Sequence, residues 1–346
     1  MKTARIVMIG IVLAVLFGCQ SNQALNIGWI GPLTGPSAVL GVDSVTAAQI
    51  AVDEMNANGQ NVELLVEDDQ YDASKTLSAY NKLVYGDGVK MLIASSYSGV
   101  FAIAKQAEAD GVIVIDPLDC NKAIVASSAN VICLATESES IARVLAEQTQ
   151  GKIGVLYFDS DMFMPLVKKT FEEIHGAAIS EAYDAGTADF KGSISKMMDA
   201  GVDSIVLLGY DETGIAMRQA RDLGFAGRFY TTGTITSPSL QKASKGAANG
   251  SVFAFWDAPS NEKSSAFLSK FKSMKGRGPI LDLASYPTYD ATYALVELAG
   301  AEDVKRRAVD MPSFLGAVGV VKFDNSGAMM IAESAHRLDD GRIEKV

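Results

Sequence analysis

The stretch Leu25-Asn26-Ile27-Gly28-Trp29-Ile30-Gly31-Pro32-Leu33-Thr34-Gly35-Pro36 decides the fold. An apolar run of strand length stops at Gly-Pro, and turn formers follow it. A helical pattern comes next. Ser44 can cap it, Val45, Ala48, Val52 and Met55 fall at helical spacing, and Gly59 stops it after Asn56. Val62, Leu64 and Val66 then alternate as a second strand. Strand, helix, strand at this spacing is the unit from which parallel sheets are built, because a parallel partner needs a crossover connection.

The same rhythm continues outward from that unit. Residues 76–85 read as a helix ended by Gly86, Met91-Leu92-Ile93-Ala94 as a short buried strand, 101–110 as a helix stopped by Gly111, and 112–115 as a strand. The pattern then repeats, with strands at 153–157, 204–208 and 229–231 and helices at 164–175 and 211–223. Continuous apolar strands alternating with helices predict an α/β fold of doubly wound parallel sheets covered on both faces. A chain of 346 residues is long for one hydrophobic core, which points to two lobes.

The amino terminus reads as an export signal. Lys2 and Arg5 precede an apolar run of 12 residues, too short to span a bilayer as a helix but suited to a signal peptide. Leu16-Phe17-Gly18-Cys19 closes it and resembles the lipobox of bacterial lipoproteins, with Phe17 larger than the residue usual at that place. The resemblance implies a signal peptide at 1–18, a lipidated Cys19 and a polar tether at 19–24, so that the mature protein reaches the membrane through a lipid anchor. Gln20 is not the aspartate that marks inner-membrane retention in many such lipoproteins.

The formal net charge is −11, with no basic cluster, which argues against nucleic acid as a partner. Three cysteines occur. With Cys19 lipidated, Cys120 and Cys133 remain, an even number in an oxidising compartment. They are expected to form a disulfide, with two buried free thiols as the alternative. No Gly-x-Ser-x-Gly, Walker or Gly-x-Gly-x-x-Gly pattern is present, and Ser193-Ile194-Ser195-Lys196 lacks a companion Lys-Thr-Gly. His175 and His336 read as surface residues. No ligand spacing suggests zinc, and no cofactor or metal is expected. Glu67, Asp68, Asp69 and Asp72 read as a solvated strand end rather than a cation site.

In doubly wound folds, ligands bind where the connecting loops gather at the carboxyl ends of the strands. Here those loops are 31–36, 95–99, 116–120, 158–161 and 209–212, rich in Gly, Ser and Asp. In this order they resemble the type I periplasmic binding proteins, in particular the branched-chain amino acid (Leu/Ile/Val) binding family of ABC importers. The Gly31–Pro36 loop followed by Gly41, Asp53-Glu54-Met55-Asn56, Ser98-Gly99, the Met217-to-Phe225 helix, residues 286–298 and Phe323-Asp324-Asn325-Ser326-Gly327 carry the resemblance.

The resemblance implies two lobes joined by a three-segment hinge, with lobe one at 25–136 and 257–329 and lobe two at 137–256 and 330–346. It also implies a pocket. Ser98 and Gly99 would meet a ligand carboxylate. Asp119 and Cys120 stand where the family has a small residue and a threonine. Phe163 and Tyr210 supply the lobe-two aromatics, and Leu40 the bulky residue of the first loop. The family acid that pairs with the ligand ammonium falls at Gly233, which has no side chain. Either Asp119 takes that role or the ligand is not an α-amino acid. The expected function is an extracytoplasmic, lipid-anchored receptor. It captures a small polar ligand, an amino acid or a relative of one, and delivers it to an ABC permease without chemistry. A ligand-sensing or enzyme-activating envelope lipoprotein on the same fold is the alternative, and an enzyme is the third class.

Overall fold

The computed structural model describes residues 24–346; the expected signal segment and the lipidation site Cys19 lie outside the described residues. Two parallel-sheet lobes make up the described chain. The first sheet holds β1 (Leu25–Gly31), β2 (Val62–Asp68), β3 (Met91–Ala94), β4 (Ile113–Asp116), β5 (Val131–Thr136) and β13 (Ala328–Ile331), in the order β13-β5-β4-β3-β1-β2. Every pairing in it is parallel. The second sheet holds β6 (Ile153–Phe158), β7 (Ile179–Tyr183), β8 (Ser204–Leu208), β9 (Arg228–Thr231), β10 (Val252–Trp256), β14 (Glu333–Asp339) and β15 (Arg342–Lys345), in the order β15-β14-β10-β9-β8-β6-β7. Here β14 runs antiparallel to both β10 and β15, closing one edge. A hairpin of β11 (Phe314–Gly316) and β12 (Gly319–Val321) stands apart from both sheets.

Central strands β3, β4, β5 and β8 are buried along their whole length, as strands covered on both faces must be. The chain passes between the sheets three times. β5 ends at Thr136, and the helix Ser138–Gln148 packs on β10 and β14 of the second sheet. After β10 the chain returns through the helices Glu262–Lys275 and Asp282–Glu297, the latter lying on β3, β4 and β5. Finally β13 ends at Ile331 and β14 begins at Glu333.

Local detail departs from the sequence reading where tertiary contacts decide it. Ser44 does not cap the helix Ser44–Ala57; it is the first helical residue, and its hydroxyl bonds Thr288 at 2.7 Å. Asp43 stands before it and instead receives both Arg277 amino groups at 2.7 and 2.9 Å and the Ile280 N–H at 2.7 Å. Gly41 is required on steric grounds: a Cβ there would lie 2.0 Å from the Pro32 carbonyl oxygen. His175 is exposed as expected, but His336 is buried on β14 beside Phe253 and Phe255, with Nε2 3.2 Å from Asp257. The acidic end of β2 is tied into its own turn. Asp68 accepts the Thr34 hydroxyl at 2.6 Å and the Leu33 N–H at 2.8 Å, Asp69 accepts Tyr71 N–H and the Thr76 hydroxyl, and Asp72 caps the helix Ala73–Asn81.

Candidate functional site

The carboxyl ends of both sheets face one another across a cavity of about 50 Å³, several times what one water requires. Leu40, Tyr71, Leu118, Asp119, Thr136, Leu281 and Leu283 line it from the first lobe. Ile141, Phe163, Met164, Tyr210, Thr232, Gly233, Thr234 and Glu333 line it from the second. Lobe-two residues therefore complete walls that lobe one begins.

Of the residues singled out in the sequence, Leu40, Asp119, Phe163, Tyr210 and Gly233 come together here. Leu40 arrives on the one-turn helix Ala38–Leu40. Phe163 opens the helix Phe163–Ile174, and Asp161 fixes that entry by accepting the Phe163 and Met164 N–H groups, each at 2.9 Å. The Tyr210 hydroxyl donates to the other Asp161 oxygen at 2.7 Å. Gly233 leaves no room for a side chain, since a Cβ would lie 2.6 Å from the Phe255 ring and 2.9 Å from Leu283.

Ser98, Gly99 and Cys120 are not brought into the cavity. Ser98 and Gly99 lie in the first turn of the helix Tyr97–Asp110, where a Cβ on Gly99 would fall 2.5 Å from the Thr76 hydroxyl oxygen. Their neighbour Tyr97 meets the lining residue Phe163 edge-on, with ring centroids 5.7 Å apart. Cys120 is fully buried and joined to Cys133 in a disulfide, with Cα atoms 5.3 Å apart. That bond lies beside two further ties, to the end of β5 and to the helix that follows it: the Cys120 N–H donates to Thr136 O at 3.1 Å, and the Ser138 N–H donates to Cys120 O at 3.2 Å. The loop carrying Asp119 is thus stapled to the end of β5.

The site is acidic. Asp116 closes β4 and accepts the Leu118 and Asp119 N–H groups on Oδ1 at 2.8 and 3.0 Å. Asp119 is only 4% exposed, and its Oδ2 has no hydrogen-bond partner among the described residues. The same holds for Oδ2 of Asp116 and Oε2 of Glu333. Burial lifts Asp116 to about 7 against the pull of those two N–H groups. It lifts Glu333 to about 8, with the Thr136 hydroxyl opposing. Asp119 is held well above the usual carboxylate range, first by burial and then by the charges of Asp116, Asp161 and Glu333. Asp161 is raised by burial, with the Tyr210 phenol and two N–H groups opposing. Tyr71, which sequence reasoning missed, sits edge-on to Tyr210 across the cleft at 6.3 Å. Glu333, also missed, is the first residue of β14 at the third passage between sheets.

The family profile described as periplasmic binding protein matches residues 24–344. "Leu/Ile/Val-binding protein homolog 1" of Brucella abortus is 26% identical over 340 residues, covering 92% of this chain and 91% of that protein. The leucine-, isoleucine-, valine-, threonine- and alanine-binding protein of Pseudomonas aeruginosa is 26% identical over 332 residues, covering 89% and 88%. Among solved structures, the branched-chain amino acid transporter substrate-binding protein LivJ of Streptococcus pneumoniae, in complex with isoleucine, superposes with a TM-score of 0.82 at 21% identity, over 94% of this chain and 99% of that one. A solute-binding protein of an ABC transporter from R. palustris, in complex with benzoate, superposes with a TM-score of 0.81 at 17% identity, over 93% and 95%. A profile match spanning almost the whole described chain, on two parallel-sheet lobes that meet around a cavity, makes this chain a member of the periplasmic binding protein family.

Proposed function

We propose that this chain is the extracytoplasmic ligand-capturing receptor of an ABC importer. It encloses one small molecule between its lobes, performs no chemistry on it, and hands it to a membrane permease. The observation that carries this reading is the cavity itself, whose walls are completed only when both lobes contribute. A site of that kind couples ligand capture to a change of shape that a permease can read. The amino acid-binding relatives suggest a ligand of amino acid size or a close relative. The lobes we assign are 25–136 with 257–329 and 137–256 with 330–346, and the ligand-contacting residues are those that line the cavity, Leu40, Asp119, Phe163, Tyr210 and Gly233 among them.

Native mass spectrometry of the purified protein tests the reading directly: a small molecule retained in the folded protein and lost on unfolding is the expected result. No such molecule, together with no thermal stabilisation by any amino acid, amine or carboxylic acid, would count against it. Lipid anchoring at Cys19 is the finer part of the proposal. Cys19→Ser is expected to move the protein from the membrane fraction to the soluble one. Continued membrane association with unchanged mass overturns the anchor and leaves the receptor reading intact.

A further inference from the structure

We propose that the cavity takes a small organic cation, an alkylammonium without a free carboxylate, held by Asp119 and Glu333 against the rings of Tyr71, Phe163 and Tyr210. This rests on the receptor reading above and names its ligand class. A zwitterionic amino acid needs two subsites of opposite character, and the cavity offers one. Neither Lys, Arg nor His is among the lining residues. Ser98, the expected carboxylate donor, is not among the lining residues. The hydroxyls of the second-lobe lining are engaged internally: Tyr210 donates to Asp161, Thr234 donates to Gly209 O at 3.0 Å, and Thr232 and Thr234 bond each other at 2.8 Å.

What stays open is acceptor capacity. Asp119 Oδ2, in a side chain that is almost wholly buried, and Glu333 Oε2 both lack partners among the described residues. A buried carboxylate without a donor is costly, and an ammonium N–H is the donor that recovers most. Three aromatic rings around the same space add attraction for a cation and none for an anion. The groups facing Asp119 are all acidic: Asp116 beside it, Asp161 from the loop after β6, and Glu333 from β14. The Tyr71, Tyr97 and Tyr210 phenols feel the Asp119 charge in turn. Wherever one of these acids is ionised, a ligand carboxylate would meet like charge. Since burial favours the protonated acids in the ligand-free protein, a cation that ionises one of them sends that proton to solvent. Cation affinity therefore rises with pH while the acid titrates, and affinity for an anion falls.

Isothermal titration of the mature protein with four probes tests this: 3-methylbutylammonium, tetramethylammonium, leucine and 4-methylpentanoate. The expected result is that 3-methylbutylammonium binds about tenfold or more tightly than leucine. It should tighten from about pH 6 to about pH 8 and release protons in buffers of differing ionisation enthalpy. Asp119→Asn is expected to weaken it roughly 10- to 100-fold. Glu333→Gln gives an independent reading should Asp119→Asn fail to fold. Leucine or 4-methylpentanoate binding more tightly than the amine overturns the cation assignment while upholding the receptor. So does an amine affinity indifferent to both substitutions. If none of the four binds, the assignment also falls, and the native mass spectrum decides separately whether the receptor reading falls with it.

Discussion

Tyr71 holds the left-handed backbone conformation at φ 62°, directly after Gln70 at φ 53°. Two successive side-chain-bearing residues there are strained, at roughly 1–2 kcal/mol each. The strain is held by the end of β2: the Asp68 carboxylate accepts the Gln70 N–H at 3.0 Å and Asp69 accepts the Tyr71 N–H at 2.8 Å. What the strain secures is a phenol turned into the cleft against Tyr210. Two variants separate backbone from side chain. Tyr71→Gly and Tyr71→Ala both remove the wall and are expected to lose ligand affinity about equally. Tyr71→Gly should be the more stable by about 1 kcal/mol, read from urea denaturation, because only glycine relieves the left-handed residue. Equal stability would mean the turn carries no strain. Asp119 was legible from sequence because it lies in a strand-end loop, where the fold places ligands. Tyr71 and Glu333 were not, since neither a left-handed φ nor a residue at a lobe crossing leaves a local signature. Ser98 stands in the first turn of its helix, where the strand-end rule leads, but it is not among the residues lining the cavity.

At the level of elements, the loop from Asp116 to Asn121 is restrained from several sides. β4 leads into it, Asp116 turns it, and the Cys120–Cys133 bond ties it to β5. Because that bond closes a short loop in the unfolded chain, replacing both cysteines with serine is expected to cost roughly 3 kcal/mol of stability. The same variant should also weaken ligand binding, since Asp119 is the residue before Cys120. Urea denaturation and titration on one preparation check both. Loss of stability with unchanged affinity would show that the hydrogen bonds to Thr136 and Ser138 suffice to hold the loop. Strands β1 to β4, β6, β8 and β9 were readable as apolar runs or alternations, whereas β5 and β10, equally apolar and buried, lack so regular a helix pattern beside them and were not picked out. The edge elements were harder. The strands β13 to β15 and the β11–β12 hairpin carry exposed or mixed patterns, and their pairing is set by distant partners.

On the scale of the whole molecule, Trp256 spans the joint between lobes. It ends β10 in the second sheet, is 1% exposed, and donates Nε1–H to Asp282 at 2.9 Å in a helix that lies on the first sheet. Its ring also meets Tyr286 at 5.5 Å. Trp29 is buried within the first lobe and should stay unchanged by lobe motion. In a Trp29→Phe protein, a ligand at about 100 times its dissociation constant is expected to add roughly 2.7 kcal/mol of stability. It should also shift Trp256 emission and shrink the small-angle scattering radius. A rise in melting temperature with both optical and scattering signals unchanged would mean binding without closure. The direction in which the lobes can part follows from how briefly the chain crosses between them. Glu137 alone separates β5 from the helix Ser138–Gln148, Ala332 alone separates β13 from β14, and the Glu137 N–H donates to Ile331 O at 3.3 Å. Two Cα atoms two residues apart can be at most about 7 Å distant. These adjoining strips therefore act as an axle: the lobes cannot slide apart there, only swing about it. Glu333, the residue after Ala332, is seated against the axle and so would travel little as the jaws open. The carboxylate of the proposed site would thus keep nearly the same place whether the jaws are open or shut.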